Sequence, residues 1–542
     1  MNNANFNVPK PYNEPILGYL PNSPEKKALK AELTRQSNLV VEIPVIIGGK
    51  EYRTDRVKEV VMPHNHKHVL ARFYVAGEKE LKLACDTAMA AKQAWEDIPF
   101  EHRASIFLKT AELISGKYRA LINASTMLGQ SKTVFQAEID SACEFIDFLR
   151  YNVFYAEEIY REQPESAKGI WNRLSYRPLA GFVAAISPFN FTSIGGNLCT
   201  SPAIMGNTVV WKPATTAMLS NYYLMKIFME AGLPDGVINF VPCVGSEASK
   251  YVLSDPRMAG FHFTGSTSTF NSIWKLVGEN ISSYVNYPRL VGETGGKDFI
   301  FADKSADKTA LVTAMVRGAF EFQGQKCSAA SRAFIPQSIW QDVKKSLLSE
   351  IKTIKMGDVT DFTNFMGAVI DKASFDNIKS YIDYAKSSPD AEVICGGYDD
   401  SVGYFVEPTV IVANKPDFKT MVEEIFGPVL SIYVYPDDKL DEALIDCDKL
   451  SPYALTGAIF AQDRNIIIKM EKALSNTAGN FYINDKPTGA VVGQQPFGGA
   501  RGSGTNDKAG SKLNLYRWVS PRTIKETFAP AEKYGYSFMD EK

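Results

Sequence analysis

The stretch that decides the fold is Phe182-Val183-Ala184-Ala185-Ile186, an uninterrupted apolar run. A run without polar alternation predicts a strand that is buried on both faces of a sheet. Comparable apolar runs follow it, and segments with helical spacing lie between them. We predict strands at 208–211, 237–241 and 260–263, and helices at 217–231 and 247–253. Strands of this kind that alternate with helices form a parallel sheet covered on both faces, which predicts the α/β class.

Other regions of the chain extend this organisation. Segments between 78 and 162 have helical stripes, and apolar runs recur from 299 to 484. A chain of 542 residues is too long for one compact core, so we expect the later runs to form a second α/β domain. The first forty residues are polar and contain several prolines, which predicts an arm over the surface. The segment 513–526 has a strand-like pattern and is a candidate to pair with another subunit.

Composition argues against several classes of partner. The formal net charge is -2, which gives no electrostatic basis for binding nucleic acid or an anionic membrane. No apolar run is long enough to span a bilayer. The 7 cysteines are scattered without a Cys-x-x-Cys pair, which favours a reducing compartment. The first ten residues have no apolar signal core, so we expect a cytoplasmic protein, or a mitochondrial matrix protein if the chain is a processed eukaryotic form.

Small and polar residues follow the predicted strands, at the sheet edge where parallel α/β folds bind ligands. Residues Ser187–Phe191 follow the first strand, and Lys212–Ala214 follow the second. The segment Thr264–Thr269 follows the fourth strand and opens a helix. Gly265 permits close backbone approach, and Ser266 offers a hydroxyl at the positive helix end. This loop is therefore either a phosphate site or a plain helix N-cap, and it is not a G-x-G-x-x-G fingerprint.

Two further positions carry groups suited to catalysis. Cys327 lies among small and polar residues, with Gly324 before it and Lys326 beside it. Space around the sulfur and a nearby positive charge favour a reactive thiolate, although an ordinary buried thiol fits the same pattern. Glu293 stands among glycines after an apolar run. Such a carboxylate suits a general base with room for a water, and a solvated loop glutamate is the alternative.

Two other features have weaker functional interpretations. His64, His66 and His68 alternate, so on a strand they would face one side, as metal ligands do. No acidic or cysteine ligand accompanies them, and a polar strand edge explains them, so we predict no metal site. Glu144 lies in a helical stripe between 135 and 154. It either faces a substrate tunnel or is a solvated or core-edge carboxylate.

Taken in order along the chain, these stretches resemble the aldehyde dehydrogenase superfamily. The matching motifs are Pro188–Phe191, Trp211–Ala214, Phe263–Ser266, Gly292–Lys297, Gly324–Cys327, Glu424–Pro428 and Pro496–Gly499. The resemblance covers nearly the whole chain after residue 40, and the shared order makes it specific. Other stretches are similar to the branch of the superfamily that oxidises L-glutamate γ-semialdehyde: 322–329, 403–408, 479–486, 488–497 and 503–507.

The resemblance implies the aldehyde dehydrogenase fold. Its parts would be a Rossmann-like NAD-binding domain over 41–162 and 181–295, an α/β catalytic domain over 296–509, and a small bridging β element for oligomerisation over 163–180 and 510–542, preceded by an N-terminal arm over 1–40. The bridging element implies at least a homodimer.

The resemblance also implies roles for individual residues. Cys327 would attack the aldehyde carbon, Asn190 and the Cys327 backbone N–H would stabilise the oxyanion, and Glu293 would activate the water that hydrolyses the thioester. The cofactor would be NAD. The residues expected to contact it are Ser187, Pro188, Phe189, Lys212, Ala214, Gly265, Ser266, Thr267, Ser268, Thr269, Glu424 and Phe426.

The implied substrate, L-glutamate γ-semialdehyde, carries an α-carboxylate and an ammonium group far from its aldehyde. By resemblance, the backbone N–H groups of Gly489 and Ala490 and the hydroxyl of Ser328 anchor this carboxylate. Phe191 and Phe497 would pack on the aliphatic middle of the substrate and hold its aldehyde near the nucleophile. Core packing is the alternative for both rings.

Several alternatives stay open at this point. Thr215 and Thr216 stand where many NAD-preferring relatives carry an acidic residue, so some use of NADP is compatible with the sequence. Another semialdehyde, such as succinate semialdehyde, is an alternative substrate, but the donor loop at 489–490 favours an amino acid. A coenzyme A-acylating reaction would not need the base at Glu293. A non-catalytic structural protein is disfavoured because Cys327 and Glu293 are both present.

Overall fold

The first of two large sheets explains the apolar runs. In the computed structural model, which describes residues 7–540, this sheet has seven strands. Their order is Arg289–Glu293, Met258–Thr264, Phe182–Ile186, Val209–Lys212, Ile238–Phe240, Val45–Ile47 and Lys50–Tyr52. The first five strands are parallel to one another. The sixth runs antiparallel to its neighbour Ile238–Phe240, and the seventh pairs antiparallel with the sixth. The strands predicted between 182 and 263 are thus confirmed, and so is the α/β class.

Helices cover both faces of this sheet. Val183 and Ala185 belong to one buried apolar cluster, whereas Phe182 and Ala184 belong to another, so successive side chains enter different layers. The helices of this part are Glu78–Asp97, Phe100–Ser115, Arg119–Gln130, Val134–Ala137, Phe145–Arg161, Thr192–Ile204, Met218–Ala231, Gly245–Ala248 and Thr267–Glu279. Two segments, Glu138–Glu144 and Ser249–Leu253, are π-helical turns that continue a preceding helix.

The second sheet also has seven strands. Their order is Ala391–Cys395, Thr409–Ala413, Val429–Tyr435, Ala330–Pro336, Asp298–Ala302, Thr456–Phe460 and Asn480–Ile483. Only Ala391–Cys395 runs antiparallel to its neighbour. The helices around it are Lys308–Phe320, Gln337–Ile351, Lys372–Ser387, Lys419–Val422, Leu440–Lys449 and Arg464–Ala473. Cys327 therefore lies in the turn between the helix that ends at Phe320 and the central strand that begins at Ala330.

Smaller elements complete the molecule. Ile170–Pro178 and Val519–Thr527 form an antiparallel ribbon. The prediction of a strand from 513 was wrong at its start, because Lys512–Tyr516 is a helix whose Leu515 is fully buried in the core. The other small sheets join Val41–Ile43, Asn65–Tyr74 and Val57–Met62, then Tyr398–Asp399 with Phe405–Val406, and Tyr453–Ala454 with Ala500–Arg501.

The N-terminal arm is more structured than its composition predicted. It includes the helix Pro24–Ser37, which buries Leu29 and Leu33. Before this helix, Glu14 is also buried. Residues 1–6 of the predicted arm and residues 541–542 of the predicted bridging element lie outside the described residues. Within 7–540, none of the helices combines the length and the apolar character that a membrane span requires.

The alternating histidines have separate partners. The ring of His64 is buried and lies 3.2 Å from the Ser131 hydroxyl. His66 donates from Nε2 to the carbonyl of Asp400 at 2.9 Å, and His68 donates to the carbonyl of Ser37 at 2.8 Å. Across the described part of the chain, no group of three or more His, Cys, Asp or Glu side chains is arranged to hold a metal ion.

Candidate active site

The turn before Cys327 has an unusual backbone that is fixed by buried side chains. Phe322, Gln323 and Gly324 are successive residues with φ values of 52°, 55° and 65°. Left-handed conformations are costly for residues other than glycine and persist only where the surroundings determine them. Here the Gln323 amide donates to the carbonyls of Ser131 at 3.0 Å and Ala368 at 2.7 Å. The turn therefore presents Cys327 from a rigid support.

Cys327 is partly exposed as a residue, and the pKa of its thiol is raised. Burial is the main cause, and the negative charges of Glu293, Asp298 and other nearby carboxylates raise the pKa further. The expectation that Lys326 favours a thiolate is wrong for this state of the protein. Its ammonium group instead pairs with the Glu321 carboxylate at 3.1 Å. The sequence did not indicate this pairing, which comes from the reversal of the chain at the turn.

Asn190 lies directly beside this turn. It follows the strand Phe182–Ile186, is 3% exposed, and its side-chain amide donates to the carbonyl of Gln325 at 3.1 Å. The same amide nitrogen carries a second N–H, which no other described residue accepts. The amide is thus held by the segment that carries Cys327 and retains a donor.

Glu293 ends the edge strand Arg289–Glu293. Burial raises the pKa of its carboxyl group to about 8, with Asp507 adding to the rise and Lys508 opposing it. The Oε2 atom is buried and has no hydrogen-bond partner among the described residues. Its charge also raises the pKa of the Cys327 thiol, so the two groups lie within electrostatic range of each other. Glu293 is therefore not a solvated loop residue.

The glycines after Glu293 allow two other chain segments to approach closely. A Cβ atom at Gly296 would lie 2.3 Å from the carbonyl oxygen of Cys327. The Gly296 N–H donates to the Glu424 carboxylate at 2.9 Å, and burial raises the pKa of that carboxylate. The expected cofactor residue Glu424 thus contacts the same backbone that supports the catalytic turn.

The loop Thr264–Thr269 leaves a helix N-terminus open to solvent. Ser266 caps the helix Thr267–Glu279 by accepting the Thr269 N–H at 3.2 Å. Ser266 and Ser268 are exposed, and the Gly265 N–H donates to the carbonyl of Glu293 at 3.2 Å. Ser266 is therefore an N-cap, and the adjacent helix end also offers the positive dipole that a phosphate group needs.

The other expected cofactor residues line the ends of neighbouring strands. Ser187 accepts a hydrogen bond from the Trp211 indole at 3.1 Å. The Lys212 ammonium has no acceptor among residues 7–540, and burial lowers its pKa. Pro188 is buried, and Ala214 is partly exposed. The rings of Phe189 and Phe426 meet edge to face at 5.8 Å, with Phe426 held at a φ of 59°.

Three residues expected to contact the substrate are buried or partly exposed. Ser328 is 7% exposed and directly follows the cysteine. Phe191 is partly exposed and meets the ring of Phe322 edge to face at 6.5 Å. Phe497 is also partly exposed, and its backbone pairs with Ala509. Neither ring is fully buried in the core.

We call residues Thr488–Gln495 the anchor loop. Gly489 is exposed and has a φ of 90°, which favours glycine and leaves its N–H accessible. Ala490 is partly exposed. Lys486 supports the start of the loop by donating to the carbonyl and the hydroxyl of Thr488, at 2.9 and 3.2 Å. The loop therefore has exposed donors on a supported turn.

Comparison with protein families agrees with this geometry. The aldehyde dehydrogenase family model matches residues 51–524. The chain belongs to the aldehyde dehydrogenase family. The resemblance inferred from the motifs is thereby confirmed.

Within this family, the chain is similar to proteins that share one name. The mitochondrial delta-1-pyrroline-5-carboxylate dehydrogenase of Dictyostelium discoideum is 55% identical over 540 residues, which span 99% of this chain and 97% of that protein. The human mitochondrial protein of the same name is 50% identical over 529 residues, 97% of this chain and 94% of its own.

Solved structures give the same result. The delta-pyrroline-5-carboxylate dehydrogenase from Mycobacterium tuberculosis bound with NAD has a TM-score of 0.96 at 51% identity, covering 99% of this chain and 100% of that chain. The 1-pyrroline-5-carboxylate dehydrogenase from Thermus with bound NAD has a TM-score of 0.90 at 32% identity, covering 96% and 100%. The aldehyde dehydrogenase fold expected from the sequence is confirmed.

One buried polar group of this aldehyde dehydrogenase was not assigned from the sequence. Lys132 is 1% exposed and pairs with Asp140 at 2.6 Å, while its ammonium group lies 4.0 Å from the centre of the Phe191 ring. Asp140 accepts the backbone N–H groups of Thr192 and Ser193 at the start of a helix. The network thus fixes the helix that follows Asn190 and Phe191.

Glu144 belongs to the same network and is not solvated. Its carboxyl group accepts the Ser193 hydroxyl at 2.8 Å, and burial raises its pKa to about 8. Its charge contributes to the raised pKa of the Cys327 thiol, so the two groups lie within electrostatic range of each other. The available signal was the acidic residues at 138, 140 and 144 within an apolar helical stripe, at a π-helical turn of the kind that often marks a functional site.

Proposed function

We propose that this protein oxidises L-glutamate γ-semialdehyde, the open form of Δ1-pyrroline-5-carboxylate, to L-glutamate with NAD, as the second step of proline degradation. The observations that support the proposal are the hydrogen bond from Asn190 to the segment that carries Cys327 and the buried Glu293 carboxyl group, whose charge acts on the Cys327 thiol. Near full-length similarity to delta-1-pyrroline-5-carboxylate dehydrogenases supports the choice of substrate. Glutamate semialdehyde has the aldehyde that Cys327 requires and the α-carboxylate that suits exposed backbone donors.

Cys327 is the proposed nucleophile. Its sulfur forms a bond to the aldehyde carbon, and the carbonyl oxygen becomes an oxyanion. The Asn190 amide and the Cys327 backbone N–H donate to this oxygen, and such donors act most strongly where the charge develops. Because burial, together with nearby carboxylates, raises the pKa of the thiol, its proton must leave before or during attack.

Glu293 serves the second half of the reaction. Once the carbon bound to Cys327 has been oxidised, the intermediate is a thioester. Glu293 takes a proton from a water as the water oxygen bonds to the thioester carbon. The carbon–sulfur bond then breaks, L-glutamate leaves, and the cysteine is regenerated. The buried Oε2 atom without a protein partner supports this role, since it can accept a hydrogen bond from that water.

The cleft beside Phe182–Ile186 fits NAD. When bound, NAD accepts the hydride that leaves the substrate carbon. The exposed helix end at Ser266, Thr267 and Ser268 would hold the pyrophosphate. Lys212 has no acceptor among the described residues and would donate to a ribose hydroxyl, and Glu424 would accept from the other ribose. Ser187, Pro188, Phe189, Ala214, Gly265, Thr269 and Phe426 would line the rest of the cleft.

The anchor loop and the Lys132 network define the far end of the substrate. The N–H groups of Gly489 and Ala490 and the hydroxyl of Ser328 bind the α-carboxylate in this proposal. Glu144 is the acidic group available to the substrate ammonium on the opposite wall. Phe191 and Phe497 pack on the methylene groups between the two ends. Succinate semialdehyde lacks the ammonium group and would leave Glu144 without its partner.

The proposal is tested by NADH formation from Δ1-pyrroline-5-carboxylate, with succinate semialdehyde and NADP run in parallel. We expect turnover of the first substrate with NAD and a strong preference for it. A preference for succinate semialdehyde would contradict the substrate assignment. Preferential use of NADP would contradict the cofactor assignment, for which the absence of an acidic residue at Thr215 and Thr216 is the critical feature.

We also propose that the protein is a homodimer or a higher homo-oligomer. The ribbon of Ile170–Pro178 and Val519–Thr527 supports this, because it exposes apolar side chains, including Trp171, which is 51% exposed. Light scattering should give a mass of at least two chains, and a monomer would contradict the proposal.

The proposed location is the cytoplasm. The alternative is the mitochondrial matrix, and the word mitochondrial in the names of the two eukaryotic relatives supports it. Cell fractionation separates the two.

A further inference from the structure

The N-terminal arm reaches the anchor loop, and we propose that Asn13 is a positioning residue that holds this loop for the substrate carboxylate. The inference rests on the proposed function, because it concerns the same carboxylate site. Asn13 lies before the segment 51–524 that matches the family model, so this contact is supplied by a part of the chain outside that match.

The Asn13 side chain joins the arm, the anchor loop and a helix. Its Nδ2 atom donates to the carbonyl of Val492 at 2.8 Å and to the Asp147 carboxylate at 2.8 Å. Its Oδ1 atom accepts from the Gln494 amide at 2.9 Å and from the Tyr151 hydroxyl at 3.4 Å. Both ends of one amide are therefore used, and two of the contacts are to the loop.

The arm that carries Asn13 is fixed by buried ion pairs. The neighbouring Glu14 carboxylate pairs with Arg119 at 2.5 Å and with Arg150 at 2.7 Å. The Glu14 backbone N–H donates to Asp147 at 2.7 Å, on the same carboxylate that Asn13 contacts. Removing one member of a buried pair leaves an uncompensated charge, so this part of the arm is strongly held. The backbone that carries Asn13 is therefore held in place.

The anchor loop needs such a support. Gly489, Gly493 and Gln494 are exposed, and both glycines have positive φ values. Lys486 supports the loop at Thr488, but the donors at 489 and 490 lie between that support and Val492. The Val492 side chain is buried, and the Asn13 bond fixes the carbonyl of the same residue. Without that bond, the N–H groups at 489 and 490 would converge less well on one carboxylate.

This geometry predicts a selective kinetic effect. Asn13 does not contact the turn that carries Cys327, so its loss should leave the chemical step intact. Substrates with an α-carboxylate should bind more weakly, whereas an aldehyde without a carboxylate should be unaffected. A general loss of folding would instead reduce the activity toward both substrates.

The test compares Asn13→Ala with wild type on Δ1-pyrroline-5-carboxylate and on propanal. We expect KM for the first to rise about tenfold, as suits the loss of two hydrogen bonds to the loop, with kcat within about twofold. The kcat/KM for propanal should stay within about twofold, since that substrate has no carboxylate to anchor. An unchanged KM, or equal losses with both aldehydes, would overturn the inference.

Matched variants keep the inference testable. Ser115→Ala removes a 2.7 Å bond to Glu14 without touching the loop, and should leave both KM values unchanged. A rise in KM with this control equal to that with Asn13→Ala would overturn the inference.

If Asn13→Ala does not fold, Gln494→Met tests the inference in its place, because it removes the same contact from the loop side. We expect a KM rise of about threefold with Gln494→Met, and no rise would overturn the inference. Absence of turnover by wild type would instead refute the proposed function.

Discussion

The turn Phe322–Ser328 and the anchor loop Thr488–Gln495 are assigned to the two ends of the proposed substrate site, and they are stabilised in different ways. The turn is buried and holds successive left-handed residues through side-chain hydrogen bonds of Gln323. The loop has exposed residues at Gly489, Gly493 and Gln494 and is held by contacts from Lys486 and Asn13. The comparison indicates that the end of the site where the aldehyde reacts is rigid, whereas the end that binds the α-carboxylate is held by residues outside the loop. Changes in the turn should alter kcat, and changes in the loop should alter KM.

The largest effect is expected from Cys327→Ser. Removal of the nucleophile should lower NADH formation by roughly 10³-fold or more, because residues that act as a unit in covalent catalysis lose most of the rate together. Cys395→Ser is a matched control, since that thiol is partly exposed on an edge strand away from the pocket. It should retain wild-type turnover. Equal activity of Cys327→Ser and the control would contradict the account of the turn.

Glu293→Gln should have the next largest effect, a fall in turnover of about 10²- to 10⁴-fold. The carboxylate must be ionised to accept a proton, and its pKa is raised to about 8. Turnover by wild type should therefore rise with pH up to about 8 and level off above it. Steady-state rates between pH 6 and 9 measure this rise in turnover with pH, which should be absent from the variant. If the rise with pH persists in Glu293→Gln, a group other than Glu293 causes it.

Gln323→Ala tests the rigidity of the turn. It leaves the carbonyls of Ser131 and Ala368 and the N–H of Gly367 without their buried partner. We expect stability to fall by about 1–3 kcal/mol, seen as a lower thermal midpoint. We also expect kcat to fall by about tenfold for propanal and for the natural substrate alike, because the nucleophile is shared. A change in KM for the carboxylate substrate alone would contradict the claim that the turn controls kcat and the loop controls KM.

Gly489→Ala should have the smallest effect. The φ of 90° strains an alanine, and its Cβ would lie 2.8 Å from the Lys486 ammonium. KM for Δ1-pyrroline-5-carboxylate should rise about fivefold, with little change for propanal, since weaker anchoring alters binding rather than chemistry. Initial rates with both aldehydes provide the measurement. A loss of kcat without a rise in KM would show that the loop acts on the reacting end.

The parts that could be predicted from sequence are those with a local pattern. The run Phe182–Ile186 is apolar because it is buried on both faces, so its strand and the α/β class followed directly. Residues just after parallel strands meet at one sheet edge, which is why Asn190 could be assigned to a ligand cleft. The helix Pro24–Ser37 was missed because its polar, proline-containing surroundings resemble an arm.

The parts that were missed depend on contacts between distant residues. Asn13 meets Val492, and Gln323 meets Ala368, through pairings that leave no periodic trace in the sequence. The role of Lys326 was predicted wrongly for the same reason. Its charge is neutralised by Glu321, which only the three-dimensional turn brings close.

The most direct test of the central claim is the intact mass of Glu293→Gln after reaction with Δ1-pyrroline-5-carboxylate and NAD. If Cys327 forms a thioester that Glu293 hydrolyses, the variant should accumulate a glutamyl adduct, and peptide mapping should locate it on Cys327. Wild type under the same conditions should show little adduct, because hydrolysis removes it. An unmodified variant that still releases one equivalent of NADH, or an adduct on another residue, would contradict the proposed division of roles between Cys327 and Glu293.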